Sequence, residues 1–426
     1  MSASSSLLLL DSRLIETAVN VKLSLGTVKK HPNNPLFVEE FFADPPNKWE
    51  ARYDNVYSTV IFDEEEGIYK LWYHAFLIDR DSNKTPLAKR PSVEYAGGGR
   101  EDGVLYATSM DGIHWEKPNL GIIPFDGSTD NNIVMSRESH GVHAGGVLKE
   151  VNDPDPNRRY KYFHQNKSTK QMAVAFSADG LHWSQPVVWP EHTAVGDTHN
   201  NALWSPELGK YVGISRNWSG SEGTYKGVRT VVRTESEDFI HWSDPVEVMR
   251  GVDYHDQIYS MPIFRYGDLY LGLPAPFHKG NPDAPDWDTV TTELVWSPDT
   301  IEWHRLCPGE QLIPLGEGAY PTGVYDCGCI YAAAPVIRDG MIQLYYGASN
   351  GLHNNWREGS FALATLPIDR FAGYVPEIEN ERGVLQTVAM VAQDDSLSVN
   401  VECFAGGIMK LPDASVGVSE PIPSLP

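Results

Sequence analysis

One short phrase recurs along the chain, and it constrains the fold more than any other feature. Its clear copies are YATSMDGIHW ending at Trp115, VAFSADGLHW at Trp183, VRTESEDFIHW at Trp242 and LVWSPDTIEW at Trp303. These tryptophans are 68, 59 and 61 residues apart, and a weaker copy, FALATLPIDRF, ends at Phe371, 68 residues further on. A repeat of this length indicates an architecture built from copies of one supersecondary unit.

Each unit contains four short apolar segments. The first are VYSTVIFD, AGGVLKEV, NALWSP, SMPIFRY and AAAPVIRD, and the last are NNIVM, PVVWP, PVEVM, QLIPL and YVPEI. Such runs of Val, Ile, Tyr and Trp between Gly, Asp, Asn and Pro are typical of strands. Five units therefore predict an all-β, five-bladed β-propeller with four-stranded antiparallel blades, whose recurrent tryptophans pack between neighbouring blades. A β-sandwich also has many short strands, but it would not repeat one phrase five times.

The repeat divides the chain into three parts. We expect 1–50 to pack along the outside of the propeller, 51–383 to form its five blades, and 384–426 to form a C-terminal β segment with a Pro- and Ser-rich tail. The C-terminal part has too few predicted strands for an independent sandwich.

Charge excludes several classes of partner. The 34 basic and 57 acidic residues give a net charge of −23, which disfavours nucleic acid and anionic membrane surfaces. No apolar run approaches the ~20 residues of a membrane-spanning helix, and no signal peptide is visible. Four cysteines do not make a disulfide framework in a chain of this length. We therefore expect a cytoplasmic protein, although sequons at Asn83, Asn166 and Asn217 leave secretion open.

Acidic residues precede the first strand in four of the five predicted blades. They are Asp54, Asp197, Asp256 and Asp326. Because the innermost strands of a propeller converge on its axis, these carboxylates are expected to face one another. A single Asp there is more often a turn residue, but four crowded carboxylates raise one another's pKa, a cost seldom kept without use. Paired carboxylates with different pKa values are what glycoside cleavage requires.

Further polar and aromatic residues lie close to the same positions. The candidates for substrate binding are His143, His199, His255, Arg216, Tyr259 and Trp218. For the aromatic residues the alternative is ordinary blade core. The three histidines could instead hold a metal ion on the axis together with the aspartates. No tight ligand spacing such as HExxH supports that alternative, so no cofactor is expected.

Several phrases resemble a known group of proteins. They are LLLDSRLIE, TVIFDEEEGIYKLWYHAF, YATSMDGIHWEKPNLG, RTESEDFIHW and DQIYSMPIFRYGDLYLGL. Together they resemble five-bladed propellers described as similar to glycoside hydrolase family 32, within the arabinanase, levansucrase and invertase superfamily that includes family 43. The resemblance implies cleavage of fructofuranosides or arabinofuranosides by a first-blade Asp and two further acids.

Carried over by position, the resemblance makes Asp54 the nucleophile or base and Asp197 the orienting or stabilising acid. The Glu-Cys motif of family 32 has no counterpart in the propeller, because the one Glu-Cys pair is Glu402–Cys403. The proton donor could therefore be Asp256, Asp326, Glu222 or Glu317. The tail also resembles the opening strands of an additional sandwich, as in a shortened chain.

The leading hypothesis is a glycoside hydrolase acting on a furanoside or a related short saccharide. The alternative is a non-catalytic propeller that binds carbohydrate or a protein partner, since a fold alone does not decide function. A lyase or transferase using the same residues also remains open. The sequence does not predict the oligomeric state.

Overall fold

The computed structural model describes residues 7–53, 55–189, 194–219, 227–252, 256–378, 381–389 and 399–401. It is an all-β structure, 43% strand and 6% helix, whose small antiparallel sheets form a five-bladed propeller. The fold predicted from the repeat is therefore confirmed. No helix in the described part of the chain is long and apolar enough to span a bilayer.

The described residues fall into two compact units, one within 1–11 and 22–375 and one within 12–21 and 376–426. The first contains the propeller. In the second, Ile15–Val19 pairs antiparallel with Val384–Thr387, after a short 3-10 helix at Ser12–Leu14. The other strands predicted for the C-terminal segment fall mostly on residues 390–398 and 402–426, which lie outside the described residues.

Blades 1 to 4 each contain four antiparallel strands in chain order. Blade 1 consists of Thr59–Asp63, Ile68–Ile78, Glu101–Ser109 and Ile133–Ser136. Blade 2 consists of Val142–Lys149, Tyr160–Asn166, Gln171–Ser177 and Val187–Val188. Blade 3 consists of Asn201–Ser205, Lys210–Ser219, Val228–Ser236 and Val246–Arg250. Blade 4 consists of Ile263–Tyr266, Leu269–Gly272, Leu294–Ser297 and His304–Leu306.

The last strand of blade 4 differs from the prediction. The segment QLIPL was expected to form it, but His304–Leu306 does so instead. Leu312 and Ile313 are completely buried in the apolar cluster that blades 4 and 5 share. Their hydrophobicity therefore serves packing between blades rather than strand pairing.

Blade 5 is completed by residues from the other end of the chain. Its own strands are Cys329–Ala332 with Val336–Arg338, then Met341–Ser349, then Gly359–Pro367. The outer positions are taken by Lys29–Lys30 and Phe37–Val38, both paired antiparallel with Gly359–Pro367. YVPEI was predicted there, but the strand Ala372–Pro376 pairs with Val21–Leu25. The N-terminal segment thus closes the ring.

The remaining elements connect the blades. Asp256–Ile258 and Pro276–His278 form a two-stranded sheet. Short α-helices span Arg80–Lys84 and Arg137–His140, and 3-10 helices span Leu87–Ser92 and Pro156–Arg158. The described cysteines, Cys307, Cys327 and Cys329, are free thiols.

The repeated phrase forms the same turn in blades 1 to 4. In blade 2 the Oδ1 atom of Asp179 accepts hydrogen bonds from the backbone N–H groups of Leu181 and His182, both 2.8 Å long. The residue directly after this Asp has a left-handed backbone in all four turns, with φ of 75° at Gly112, 79° at Gly180, 66° at Phe239 and 67° at Thr300. A Cβ atom at Gly180 would lie 2.6 Å from the ring of Trp72 in blade 1, which explains the glycine.

The recurrent aromatic residues pack between blades, as predicted. Trp115 meets Tyr345 and Phe361 of blade 5 with ring centroids 5.9 and 5.7 Å away. Trp242 lies 4.8 Å from the Phe163 ring of blade 2. The weak fifth copy behaves in the same way, because Phe371 packs on Phe264 of blade 4 at 5.7 Å. The phrase therefore stabilises blade contacts rather than carrying chemistry.

Candidate functional site

Antiparallel pairing brings three positions of a blade to the same edge. The start of the first strand lies beside the end of the second, which lies beside the start of the third. In blade 1, Phe76 near the end of the second strand pairs with Asp102 at the start of the third. In blade 2, His143 on the first strand pairs with Gln165 on the second. Side chains from all three positions can therefore line one site.

A cavity of about 390 Å³ lies at this edge. Its charged lining residues are Arg100, Asp102, Arg137, Lys167 and Asp197. The lining also includes Tyr57, Tyr95, Tyr259, His143, His353 and Asn354. All five blades or their connections contribute, and the volume suits a small ligand.

Asp102 lies at the deep side of the cavity between two histidines. Its Oδ1 atom is 2.9 Å from Nδ1 of His143 and 3.3 Å from Nε2 of His74. Arg137 approaches the other oxygen at 3.9 Å. Burial opposes ionisation, but His143 and His74 more than compensate and hold the pKa of Asp102 well below its usual value. Burial lowers the pKa of His143, and the attraction of Asp102 opposes that shift.

Asp197 is a second carboxylate on the cavity, and Arg216 fixes it. The guanidinium Nη1 of Arg216 donates to Oδ1 of Asp197 at 3.0 Å. Its Nε donates to the Tyr259 carbonyl at 3.0 Å, and its charge centre lies 4.1 Å above the Tyr259 ring. Arg216 is buried, and protein groups accept its hydrogen bonds. It therefore positions Asp197 and Tyr259 rather than reaching into the cavity.

The backbone beside the cavity is strained next to Tyr57. Val56 and Tyr57 have φ of 64° and 41°, a left-handed conformation that β-branched and aromatic residues rarely adopt. Asn55 donates from Nδ2 to the hydroxyls of Tyr57 at 2.6 Å and Tyr259 at 3.2 Å. Strain of this kind costs of order 1–3 kcal/mol and is concentrated at functional sites. Asp54, the predicted nucleophile or base, precedes this segment and lies outside the described residues.

Three cations face the cavity. Arg100 contacts the buried carboxylate of Asp79 at 3.2 Å, and Nη1 of Arg137 donates to the Arg100 carbonyl at 3.2 Å. Burial lowers the pKa of Lys167, and the carboxylates of Asp102 and Asp197 oppose that shift. This positive lining contrasts with the charge of −23 on the whole chain.

The structure brings together part of the predicted site. Asp197, His143 and Tyr259 line the cavity, and Arg216 lies directly behind Asp197 and Tyr259. His199 is buried with its ring 5.5 Å from that of Tyr57, and burial with the neighbouring His74 lowers its pKa to about 3.

Other predicted residues are not on the described cavity lining. Trp218 lies under the Arg229 guanidinium at 4.3 Å. Asp256 is half-exposed and contacts Nδ1 of His278 at 2.7 Å. Asp326 is fully buried, where it contacts Lys30 Nζ at 2.6 Å and accepts from the Tyr346 hydroxyl at 3.1 Å. Asp256 and Asp326 are thus not among the described lining residues of this cavity, and their side chains contact His278 and Lys30.

The remaining predicted site residues are Glu317, Glu222 and His255. Glu317 is exposed. Glu222 and His255 lie outside the described residues.

Sequence reasoning missed Asp102, His74 and Lys167. All three lie on second or third strands or just beyond them, whereas the sequence search considered the starts of the first strands. Strand register would have found them, since antiparallel pairing places those ends beside the first-strand starts.

Comparison with known proteins identifies the fold but no family. No family model matches the sequence, and no curated protein matches it. A glycosyl hydrolase from Bacteroides ovatus is similar in structure, with a TM-score of 0.52 and 15% identity over 83% of this chain and 98% of that one. Another structure, described as a glycoside hydrolase, has a TM-score of 0.51 and 14% identity over 85% and 95%.

A third similar structure comes from work on the GH130 family. That family is described as mannoside phosphorylases that contain glycoside hydrolases targeting β-1,2 mannosidic linkages in Candida mannan. The TM-score is 0.50, with 14% identity over 80% of this chain and 94% of that one. Identities this low show a shared fold alone. None of these three structures is described as a member of family 32 or 43.

Proposed function

We propose that the protein is a carbohydrate-active hydrolase that cleaves a glycosidic bond in the cavity between its blades. The observation that carries this proposal is one cavity with two carboxylates, Asp102 and Asp197, which come from different blades. The similar structures described as glycoside or glycosyl hydrolases support a carbohydrate substrate on this fold. Their low identity leaves the substrate sugar to experiment.

Glycoside hydrolysis needs one group that accepts a proton from water, or attacks directly, and one that protonates the leaving oxygen. Asp197 is suited to one of these roles because Arg216 holds its carboxylate at the cavity wall. The His143 imidazole, bound to Asp102, is suited to the other because a buried carboxylate orients its ring. Asp54, predicted as nucleophile or base, is a further candidate outside the described residues.

Sugar binding would use the polar lining. Arg137, Lys167 and Asn354 line the cavity and offer donors for hydroxyl groups. The sequence resemblance favours a furanoside such as a fructofuranoside or arabinofuranoside. β-1,2-Mannosides should also be tested as substrates, because one of the similar structures comes from work on glycoside hydrolases that target β-1,2 mannosidic linkages.

The test is product analysis on fructans, arabinans, β-1,2-mannosides and aryl glycosides, with and without inorganic phosphate. We expect cleavage of at least one substrate class without phosphate, and Asp197→Asn should lower kcat by about 10²- to 10⁴-fold. The matched control is Asp268→Asn, an exposed Asp in a turn of blade 4, which should retain full activity. Cleavage only with phosphate would indicate a phosphorylase instead.

Two outcomes would overturn the proposal. Glycans that bind the wild-type protein without being cleaved would identify a non-catalytic carbohydrate-binding propeller. Full activity in folded Asp197→Asn would exclude the role given to Asp197. Circular dichroism of both variants checks that any loss is not a loss of fold.

A further inference from the structure

Three buried side chains at the deep wall of the cavity bring their nitrogen and oxygen atoms to one point. His74 pairs with Val104 across the first two long strands of blade 1, so Asp102, two residues before Val104, is its diagonal neighbour on the same sheet face. His143 enters from the first strand of blade 2. One ligand atom from each of His74, Asp102 and His143 lies within 4.8 Å of the others.

The buried His74 ring has no hydrogen bond within the protein that would explain its position. Its side chain is 2% exposed, yet neither ring nitrogen has a hydrogen-bond partner. Nε2 lies 3.3 Å from the Asp102 carboxylate, but the contact lacks the direction of a hydrogen bond. Leaving a buried polar atom without a partner costs about 1–3 kcal/mol, so native proteins rarely do so without a reason. An ion accepting the Nε2 lone pair would remove that cost at Nε2.

The surroundings fit an open coordination site. The rings of His74 and His143 are 5.4 Å apart and nearly perpendicular, at 82°. A third buried imidazole, His199, lies close by, and its Nδ1 also has no hydrogen-bond partner. Asp102 and His143 line the cavity, so a bound ion would keep positions open toward a substrate. Arg137 approaches only the far oxygen, Oδ2, whereas Oδ1 is hydrogen-bonded to Nδ1 of His143, a contact that a bound ion would replace.

We propose that His74, Asp102 and His143 bind a divalent transition-metal ion, with zinc as the best match. Two imidazoles and one carboxylate are the ligand set of open catalytic zinc sites and also of non-haem Fe²⁺ sites, and zinc is preferred here because hydrolysis needs no redox-active metal. Calcium and magnesium prefer oxygen ligands alone and match the set poorly. The site differs from the axial metal considered from sequence, because His74 and Asp102 were not among its predicted ligands.

A bound ion would explain how the cavity activates water. A zinc-bound water loses its proton near neutral pH and becomes a nucleophile. In the hydrolase proposed above, His143 would then act as a ligand instead of transferring a proton. The deprotonated water would attack the anomeric carbon as the glycosidic C–O bond breaks, and Asp197 would carry the proton released by that water to the leaving oxygen. The binding inference does not depend on that reaction, since it rests only on the three ligands.

The experiment is a metal titration of the full chain. Wild-type protein is dialysed against a chelator and then titrated calorimetrically with Zn²⁺, and we expect one ion per chain. His74→Asn and His143→Asn should each weaken binding by at least about 100-fold. The matched control is His182→Asn, because exposed His182 also lies 2.8 Å from an aspartate, Asp179, but in a blade turn. Its affinity for Zn²⁺ should equal that of the wild type.

A second measurement uses only the wild-type protein, so it tests the inference even if the variants fail to fold. Co²⁺ added to the wild-type protein should give the visible absorption of a four- or five-coordinate site, and Zn²⁺ should displace it. The inference is overturned if wild-type protein binds neither ion, or if folded His74→Asn and His143→Asn bind Zn²⁺ as tightly as wild type. Metal binding without glycan cleavage would refute only the proposed function. Cleavage by a metal-free protein that binds no ion would refute only this inference.

Discussion

The molecule pairs histidine with aspartate in two places that look alike at short range. In the turn of blade 2, Nδ1 of His182 lies 2.8 Å from Asp179, and in the cavity Nδ1 of His143 lies 2.9 Å from Asp102. The turn pair is largely exposed, with side-chain exposures of 71% and 47%, against 11% and 2% in the cavity. The distance is the same, but the surroundings give each pair a different use.

The turn pair is local and fully satisfied. Asp179 accepts from two backbone N–H groups and from the Ser177 hydroxyl, all within five residues of one another. Blades 1 and 3 repeat the same His–Asp arrangement at His114 and His241. Such a pair stabilises a turn.

The cavity pair is non-local. Its members come from two blades, and the second imidazole on the same carboxylate, His74, has nitrogen atoms without partners. The comparison shows that regular repetition marks structural residues, whereas chemistry is expected where an arrangement occurs outside the repeat.

Replacing Asp326 should have the largest effect on the free energy of unfolding, because this carboxylate is buried like that of Asp102 but forms an ion pair with a lysine. Asp326→Asn would leave the Lys30 ammonium, whose side chain is 28% exposed, without its charge partner, so we expect the free energy of unfolding to fall by up to about 3 kcal/mol. Denaturant unfolding measures this, and kcat and KM should be unchanged. Asp339→Asn, which breaks an exposed pair with Arg338, should change stability by less than about 1 kcal/mol. Unchanged stability with lost activity would return Asp326 to the catalytic candidates.

Protonation of buried His164 at low pH should have an intermediate effect on the free energy of unfolding. Burial lowers its pKa from 6.5 to about 4, so between these values the unfolded chain binds more protons than the folded one. Its contribution to stability is therefore complete above pH 6.5 and is lost as the pH falls toward 4. Between pH 7 and pH 5 we expect a loss of about 2 kcal/mol, measured by urea unfolding with a chelator present. His164→Gln should reduce that loss, and an equal loss in the variant would assign it to other groups.

The turn aspartate gives the smallest effect. Asp179→Ala removes the acceptor of two backbone N–H groups and should lower the free energy of unfolding by about 1 kcal/mol, as loss of a helix cap does. Zn²⁺ affinity and activity should stay at wild-type values. A fall in either would show that the turn and the cavity are coupled, contrary to the distinction drawn above.

The same contrast explains what the sequence could predict. Five blades follow from one phrase, because its Ser and Asp form a local turn and its Trp packs against a neighbouring blade at the same spacing in all four clear copies. The strands Lys29–Lys30 and Phe37–Val38 carry no copy of the phrase, so closure of blade 5 by the N-terminal segment was not predictable. Strands of two residues that pair with a distant segment are too short to show an alternating hydrophobic pattern in the sequence.

For the site, Asp197 was found because it lies near the start of a first strand. Asp256 and Asp326 occupy similar places, yet sequence position does not reveal that His278 and Lys30 bind them. Asp102 was missed because its partners lie on another strand and another blade. Side-chain direction and register decide such cases, and both arise only when the blades assemble.

Closure of blade 5 by the N-terminal strands has a consequence for biosynthesis. The ribosome releases Lys29–Lys30 and Phe37–Val38 before any blade, but their partner Gly359–Pro367 is among the last propeller strands to emerge. These two strands must therefore stay without this partner until Gly359–Pro367 has been synthesised. His353 and Asn354 complete the cavity from that same late blade, so an interrupted translation product would lack a finished pocket.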